Sequence, residues 1–196
     1  MAILQIQNLT KSFGGLVALD DVSFGVEEHS ISSLIGPNGA GKTTVFNVVA
    51  GTYSPTQGAV RFCGRVLNGV RAHDRVRMHI GRTFQNALLF DNMTVIENVM
   101  VGCHPRTRAG MLASALRLPS MRREEERIYL EAMRYLNLVG LGLRANDMAS
   151  SLPFGQQRLI AIARALATEP HLLLLDEPAA GLNTLEKMDL AGKVLN

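Results

Sequence analysis

With 196 residues, 47% of them hydrophobic, the chain is long enough to bury one substantial core, yet no apolar run approaches the ~18 residues that a membrane span needs. The formal charge of +3, the absence of Trp and the few Tyr and Phe argue against a dense nucleic-acid footprint. Arginine groups such as Arg71, Arg75, Arg77 and Arg82 read as solvated faces, with an anionic membrane surface as the open alternative. Cys63 and Cys103 stand far apart, in no Cys-x-x-Cys spacing, and read as packing thiols rather than a zinc site or a disulfide.

Met1–Ile6 lacks a basic segment followed by an apolar core, so it reads as a first strand of a cytoplasmic protein and not as a signal peptide. Ile3–Gln7 alternates like a strand, Thr10–Gly15 reads as a turn with one aromatic, and Ala18–Phe24 leads into a second strand. Ile31–Ile35 is a short strand-like run that enters the loop Gly36-Pro37-Asn38-Gly39-Ala40-Gly41-Lys42-Thr43, and the residues from Thr44 open a helix. Turn residues 51–58 precede a short strand, Ala59–Phe62, and Ile80–Phe84 returns as a strand that delivers Gln85 to its end.

Helical signals then dominate. Thr94 and Glu97 form a capping box for a helix through Val101, and Met121–Val139 carries Ile128, Ala132, Tyr135 and Val139 at helical spacing until Gly140 stops it. Residues 104–119 read as loop plus a short helix. A further helix spans Gln156–Ala167, and His171–Leu175 is a continuous apolar run suited to a buried parallel strand. The whole is an α/β chain with a helical insertion at about 87–165, in a single domain.

Two stretches carry chemistry. The loop at 36–43 fits G-x-x-x-x-G-K-[ST] without a mismatch: its glycines permit backbone angles and close approaches that turn N–H groups onto a polyphosphate. Lys42 supplies a point charge for the outer phosphates, the Thr43 hydroxyl is placed to ligate magnesium, and the helix that follows aims its positive end at the anion. The apolar strand that ends in Asp176-Glu177 supplies the second signal. Asp176 can hold magnesium through its waters, and Glu177, one residue on, can polarise an attacking water as general base. The plainer alternative is that the two carboxylates merely end a strand at the surface.

Between them lies Leu152-Pro153-Phe154-Gly155-Gln156, ahead of a helix. In this order the motifs resemble the ATP-binding subunits of ABC transporters, whose helical insertion carries a Leu-Ser-Gly-Gly-Gln signature. Leu152, Gly155 and Gln156 match it, whereas Pro153 and Phe154 replace Ser and Gly, so Pro153 has no hydroxyl to offer a terminal phosphate. The resemblance implies a P-loop NTPase fold, a RecA-like core plus an N-terminal antiparallel β region. It also implies ATP and Mg2+ as ligands, and a dimer in which each signature completes the partner's site. It further implies that Phe13 stacks on adenine, with a core position as the alternative, and that Thr44 lies beside the inner phosphate. Gln85 would contact magnesium and the attacking water, or be a plain exposed strand end; Asn183 takes the place of an Asp in the loop that crosses the dimer.

The strings Arg82–Asn86, Met93–Val99 and Asp176–Asn183 are most similar to the subunits of branched-chain amino-acid importers. That subgroup implies transmembrane permease partners, a second ATP-binding subunit, an indirect solute-binding protein and residence at the cytoplasmic face of the membrane. No nucleic acid is expected. Related lipid or lipopolysaccharide exporters, and soluble ATPases that act on nucleic acid or ribosomes, are the alternatives. All five histidines precede Asp176, so the family's switch histidine has no counterpart. From this the C-terminal end of the domain is expected to be missing and hydrolysis by the chain to be weak.

Overall fold

The computed structural model describes residues 2–83, 88–103, 119–178 and 192. They divide into two compact units, Met1–Ile80 and Gly81–Asn196.

The first unit is built on a four-stranded antiparallel sheet in the order β2-β1-β3-β4. Its strands are β1 (Ala2–Phe13), β2 (Leu16–Glu27), β3 (Gln57–Phe62) and β4 (Arg65–Val66). Leu4 and Ile6 pair with Phe62 and Val60, and all four side chains are buried, so alternation puts one face of the sheet into the core. Helix α1 (Lys42–Ala50) contributes Val45, Val48 and Val49 to the buried set.

β1 continues past Gln7 to Phe13, leaving only Gly14-Gly15 as the turn of the hairpin. The alternation fails at Gln7 because the pair is bulged. Asn8 and Asp21 both adopt positive φ, 46° and 48°, and the Asn8 amide donates to the Asp21 carboxylate at 2.8 Å. A period-two reading cannot follow a strand through such a bulge. Ile31–Ile35 departs in the opposite direction. It joins no ladder among the described residues, and Ile35 is 90% exposed: apolar content suggested a strand, but a strand also needs neighbours for its N–H and C=O groups.

The arginine group at 71–82 is not wholly a solvated face. Arg75, on helix α2 (Ala72–Arg77), is only 3% exposed. Its guanidinium donates to the carbonyls of Val48 (2.6 Å), Val49 (2.8 Å), Leu67 (2.7 Å) and Val70 (3.0 Å). Two of these belong to the last turn of α1, where carbonyls run out of intrahelical donors; the Val48 carbonyl also accepts from the Gly51 N–H at 3.2 Å. Burial lowers the pKa of this arginine, though the group remains a cation at neutral pH.

In the second unit β5 (Ile80–Arg82) pairs with β6 (Leu172–Leu174), and the Thr83 N–H extends the pairing to the Leu174 carbonyl at 3.0 Å. Three helices, α3 (Val95–Cys103), α4 (Pro119–Leu138) and α5 (Phe154–Leu166), share a core that includes Val95, Val99, Leu136, Val139 and Ile160. Gly102 sets the α3–α5 approach, because a Cβ there would overlap the Arg164 carbonyl oxygen. Residues 104–118, with their anticipated short helix, lie outside the described residues. Of the two cysteines, Cys103 is buried in the helical core, but Cys63 is exposed at φ 47° and is no packing thiol.

The capping box forms as the sequence suggests: Glu97 accepts from the Thr94 N–H (2.7 Å) and hydroxyl (2.8 Å), and its own N–H donates to Thr94 Oγ1 (3.3 Å). These bonds, the backbone one foremost, lower the Glu97 pKa. A depressed carboxyl pKa gives stability that is present above the unfolded value of about 4.3 and is lost as the pH falls through the folded value. Glu97→Gln should therefore lower the thermal midpoint at pH 7, and the gap to the parent should close on acidification below that range, as measured by circular dichroism melts. Fully buried Asn98 fixes the preceding loop: its amide accepts from the Phe90 N–H (2.9 Å) and donates to the carbonyls of Phe90 (3.1 Å) and Thr94 (3.0 Å).

Candidate functional site

The loop at 36–43 is an exposed turn that leads directly into α1, whose N-cap is Gly41. Gly39 and Gly41 have φ of 82° and 85°, angles that disfavour any side chain, and a Cβ on Gly41 would lie 2.6 Å from the Ala18 carbonyl oxygen. The loop is therefore pressed against the start of β2 by the absence of a side chain. The Lys42 ammonium folds back to donate to the Gly36 and Pro37 carbonyls, both at 2.7 Å. It is thus held over the loop by neutral acceptors, with no carboxylate paired to it among the described residues. The first-turn N–H groups of Lys42, Thr43 and Thr44 have no earlier helical carbonyl to bind. A cation, free N–H groups and two left-handed glycines make a donor set that fits a polyphosphate, and the Thr43 hydroxyl adds an oxygen suited to magnesium.

Phe13 lies at the end of β1, beside the hairpin turn. It is 40% exposed and not a core residue. Its ring meets that of Tyr53 edge to face, with centroids 5.0 Å apart and planes at 76°, and the Lys11 ammonium sits 4.8 Å from the Phe13 centroid.

At the end of β6 the two carboxylates separate in character. Asp176 is buried, and the Arg82 guanidinium approaches its Oδ2 at 3.4 Å. Glu177 is exposed and adopts φ 47°, a conformation that is costly for a residue with a Cβ. Arg82 is a neighbour of Asp176 that sequence reading missed: 94 positions separate the two, and the pairing of β5 with β6 brings them together.

Leu152 is buried, and Pro153 is the N-cap of α5 with no side-chain cap hydrogen bond, as expected of a residue without a hydroxyl. The helix starts at Phe154, so the N–H groups of Phe154, Gly155 and Gln156 form its first turn. Phe154 is 51% exposed, with the buried Arg158 guanidinium 5.5 Å from its ring centroid. The Gln156 Oε1 is buried without a hydrogen-bond partner among the described residues. Gln85 and the loop through Asn183 lie outside the described residues.

Comparison with known proteins shows the family. The family model for ABC transporters matches residues 19–180. The chain is 46% identical over 188 residues to BraF of Pseudomonas aeruginosa, a high-affinity branched-chain amino acid transport ATP-binding protein, covering 96% of this chain and 74% of BraF. Among solved structures it is similar to the ADP conformation of MJ1267, an ATP-binding cassette of an ABC transporter. That match has a TM-score of 0.84 and 33% identity, over 100% of this chain and 76% of the other. It is similar also to the dimeric structure of MJ0796, a bacterial ABC transporter cassette, with a TM-score of 0.82 and 27% identity over 97% and 81% of the two chains. The fold is that of a P-loop NTPase with an N-terminal antiparallel sheet, and the chain belongs to the ABC transporter family.

Proposed function

We propose that this chain is the ATP-binding and ATP-hydrolysing subunit of a branched-chain amino-acid importer, held peripherally at the cytoplasmic face of the inner membrane. The observation that carries this reading is the 46% identity to BraF across nearly the whole chain. Its partners are transmembrane permease subunits and a second ATP-binding subunit, either a copy or a relative, with a solute-binding protein acting indirectly. The dimeric MJ0796 structure supports the pairing of cassettes.

In this reading Gly36–Thr43 wraps the phosphates with backbone N–H groups, Lys42 binds the outer phosphates and Thr44 lies beside the inner one. Thr43, Gln85 and Asp176 would hold magnesium, which would neutralise charge on the phosphate oxygens. Arg82 positions Asp176 through their ion pair. Glu177 accepts the proton of the attacking water, and Gln85 orients that water. The first turn at Phe154–Gln156, with Leu152 and Pro153 setting its entry, presents N–H groups to the partner's terminal phosphate; these stand in for the hydroxyl that Pro153 lacks.

Lys42→Ala tests the phosphate assignment. Removing a charge-assisted contact should weaken ATP binding by roughly tenfold to a hundredfold, measured by titration calorimetry. Unchanged affinity would remove Lys42 from the site.

A further inference from the structure

We propose that Tyr53, with Lys11, is a positioning residue for the nucleobase: the pair holds the Phe13 ring as a platform and so contributes to selection of a purine nucleotide over a bare polyphosphate. The inference rests on the reading of Phe13 as the adenine-stacking residue.

Phe13 stands at the end of a hairpin, where a half-exposed aromatic side chain would ordinarily change rotamer freely. Two contacts restrain it. Tyr53 meets it edge to face, and the Lys11 ammonium lies on it at 4.8 Å and 5.9 Å from the Tyr53 centroid, so one cation serves both rings. Edge-to-face geometry places the positive rim of one ring on the negative face of another, and the cation is drawn to the same electron density. These contacts leave Phe13 40% exposed, enough for a base to stack on it.

The platform is also tied to the phosphate loop at two places. The Thr52 and Tyr53 N–H groups donate to the Asn47 carbonyl at 2.9 and 3.2 Å, which fastens Tyr53 to the last turn of α1. The next residues run along β1, where the Thr56 N–H donates to the Thr10 carbonyl (2.8 Å) and the Ser12 N–H to Thr56 Oγ1 (3.0 Å). On the other strand of the hairpin, Gly41 abuts Ala18. The ring and the phosphate loop are therefore positioned by one framework, which fixes the distance between a base and its phosphates. A loose Phe13 would have to be ordered on every binding event, at a cost in affinity.

The experiment is titration calorimetry of the full chain with magnesium ATP and, separately, with magnesium tripolyphosphate, which has no base. Tyr53→Ala should weaken ATP about three- to tenfold and leave tripolyphosphate unchanged, while Tyr53→Phe, which keeps the ring edge, should retain the parental ratio. Phe13→Ala separates the two ideas. If it lowers the ATP-to-tripolyphosphate affinity ratio and Tyr53→Ala does not, the role of Tyr53 is overturned and that of Phe13 stands; if Phe13→Ala leaves the ratio unchanged, the adenine reading falls and the inference with it. Should Tyr53→Ala fail to fold, Lys11→Met decides: a lowered ratio supports the platform, and an unchanged ratio overturns it.

Discussion

Glu177→Gln should cut ATP turnover by about 10²–10⁴-fold while ATP affinity stays near the parental value. The amide keeps the shape and the hydrogen-bonding reach of the carboxylate but cannot take a proton, so the loss falls on the chemical step alone. The structure supplies a reason to choose this carboxylate over its neighbour. Asp176 is buried and engaged by Arg82, whereas Glu177 is exposed and held at φ 47°, where a non-glycine residue is strained by about 1 kcal/mol or more. Strain of that kind persists only where the surroundings impose it, and here it follows directly on the buried acid. Phosphate release under single-turnover conditions measures the effect. Size-exclusion chromatography with ATP provides the second readout, since a chain that binds but cannot hydrolyse should accumulate as a dimer. Rapid turnover by the variant would dismiss Glu177 as the base.

What the sequence disclosed and what it hid divide along the range of the interactions. The turn of the phosphate loop into α1, the Thr94–Glu97 box and the stop at Gly140 rest on residues a few positions apart, and each is present in the structure. The apolar run before Asp176 was legible for the same reason, as a continuous hydrophobic string, although only Leu172 and Leu174 of the strand are buried and Leu173 between them is partly exposed. Long-range partners were not legible. Nothing near Arg75 in the chain announces that it will cap a helix that ended some 25 residues earlier, and nothing near Arg82 announces Asp176. Both arginines look like surface charges until the fold brings carbonyls or a carboxylate to them. Ile31–Ile35 shows the converse: a strand is a property of a pair, and one apolar string cannot declare its neighbours.

Arg75→Met should destabilise the chain by about 3 kcal/mol or more, a large share of the 5–15 kcal/mol that holds a domain of ordinary stability. Methionine fills much of the volume but donates nothing. The Val49 carbonyl then loses its guanidinium donor, while those of Val48 and Leu67 keep the Gly51 and Val70 N–H groups respectively. The loss extends beyond hydrogen bonds, because a cation at the C-terminal end of α1 also opposes the negative pole of that helix. Gly51 belongs to the same arrangement: its φ of 85° and its contact, in which a Cβ would lie 2.7 Å from the Arg75 Nε, leave no room for a side chain. For a chain of this length the thermal midpoint should fall by about 6–12 °C, at about 2–4 °C per kcal/mol, as read by calorimetry. Arg75→Lys distinguishes charge from shape. A single ammonium can reach the carbonyls of Val48 and Val49 but cannot also span those of Leu67 and Val70, so it should recover only part of the loss. Full recovery by lysine would mean that the charge, and not the four-point fork, stabilises the end of α1. Because α1 carries the phosphate loop at its other end and Tyr53 just beyond this one, a loosened Arg75 should also weaken ATP binding at temperatures well below the new midpoint.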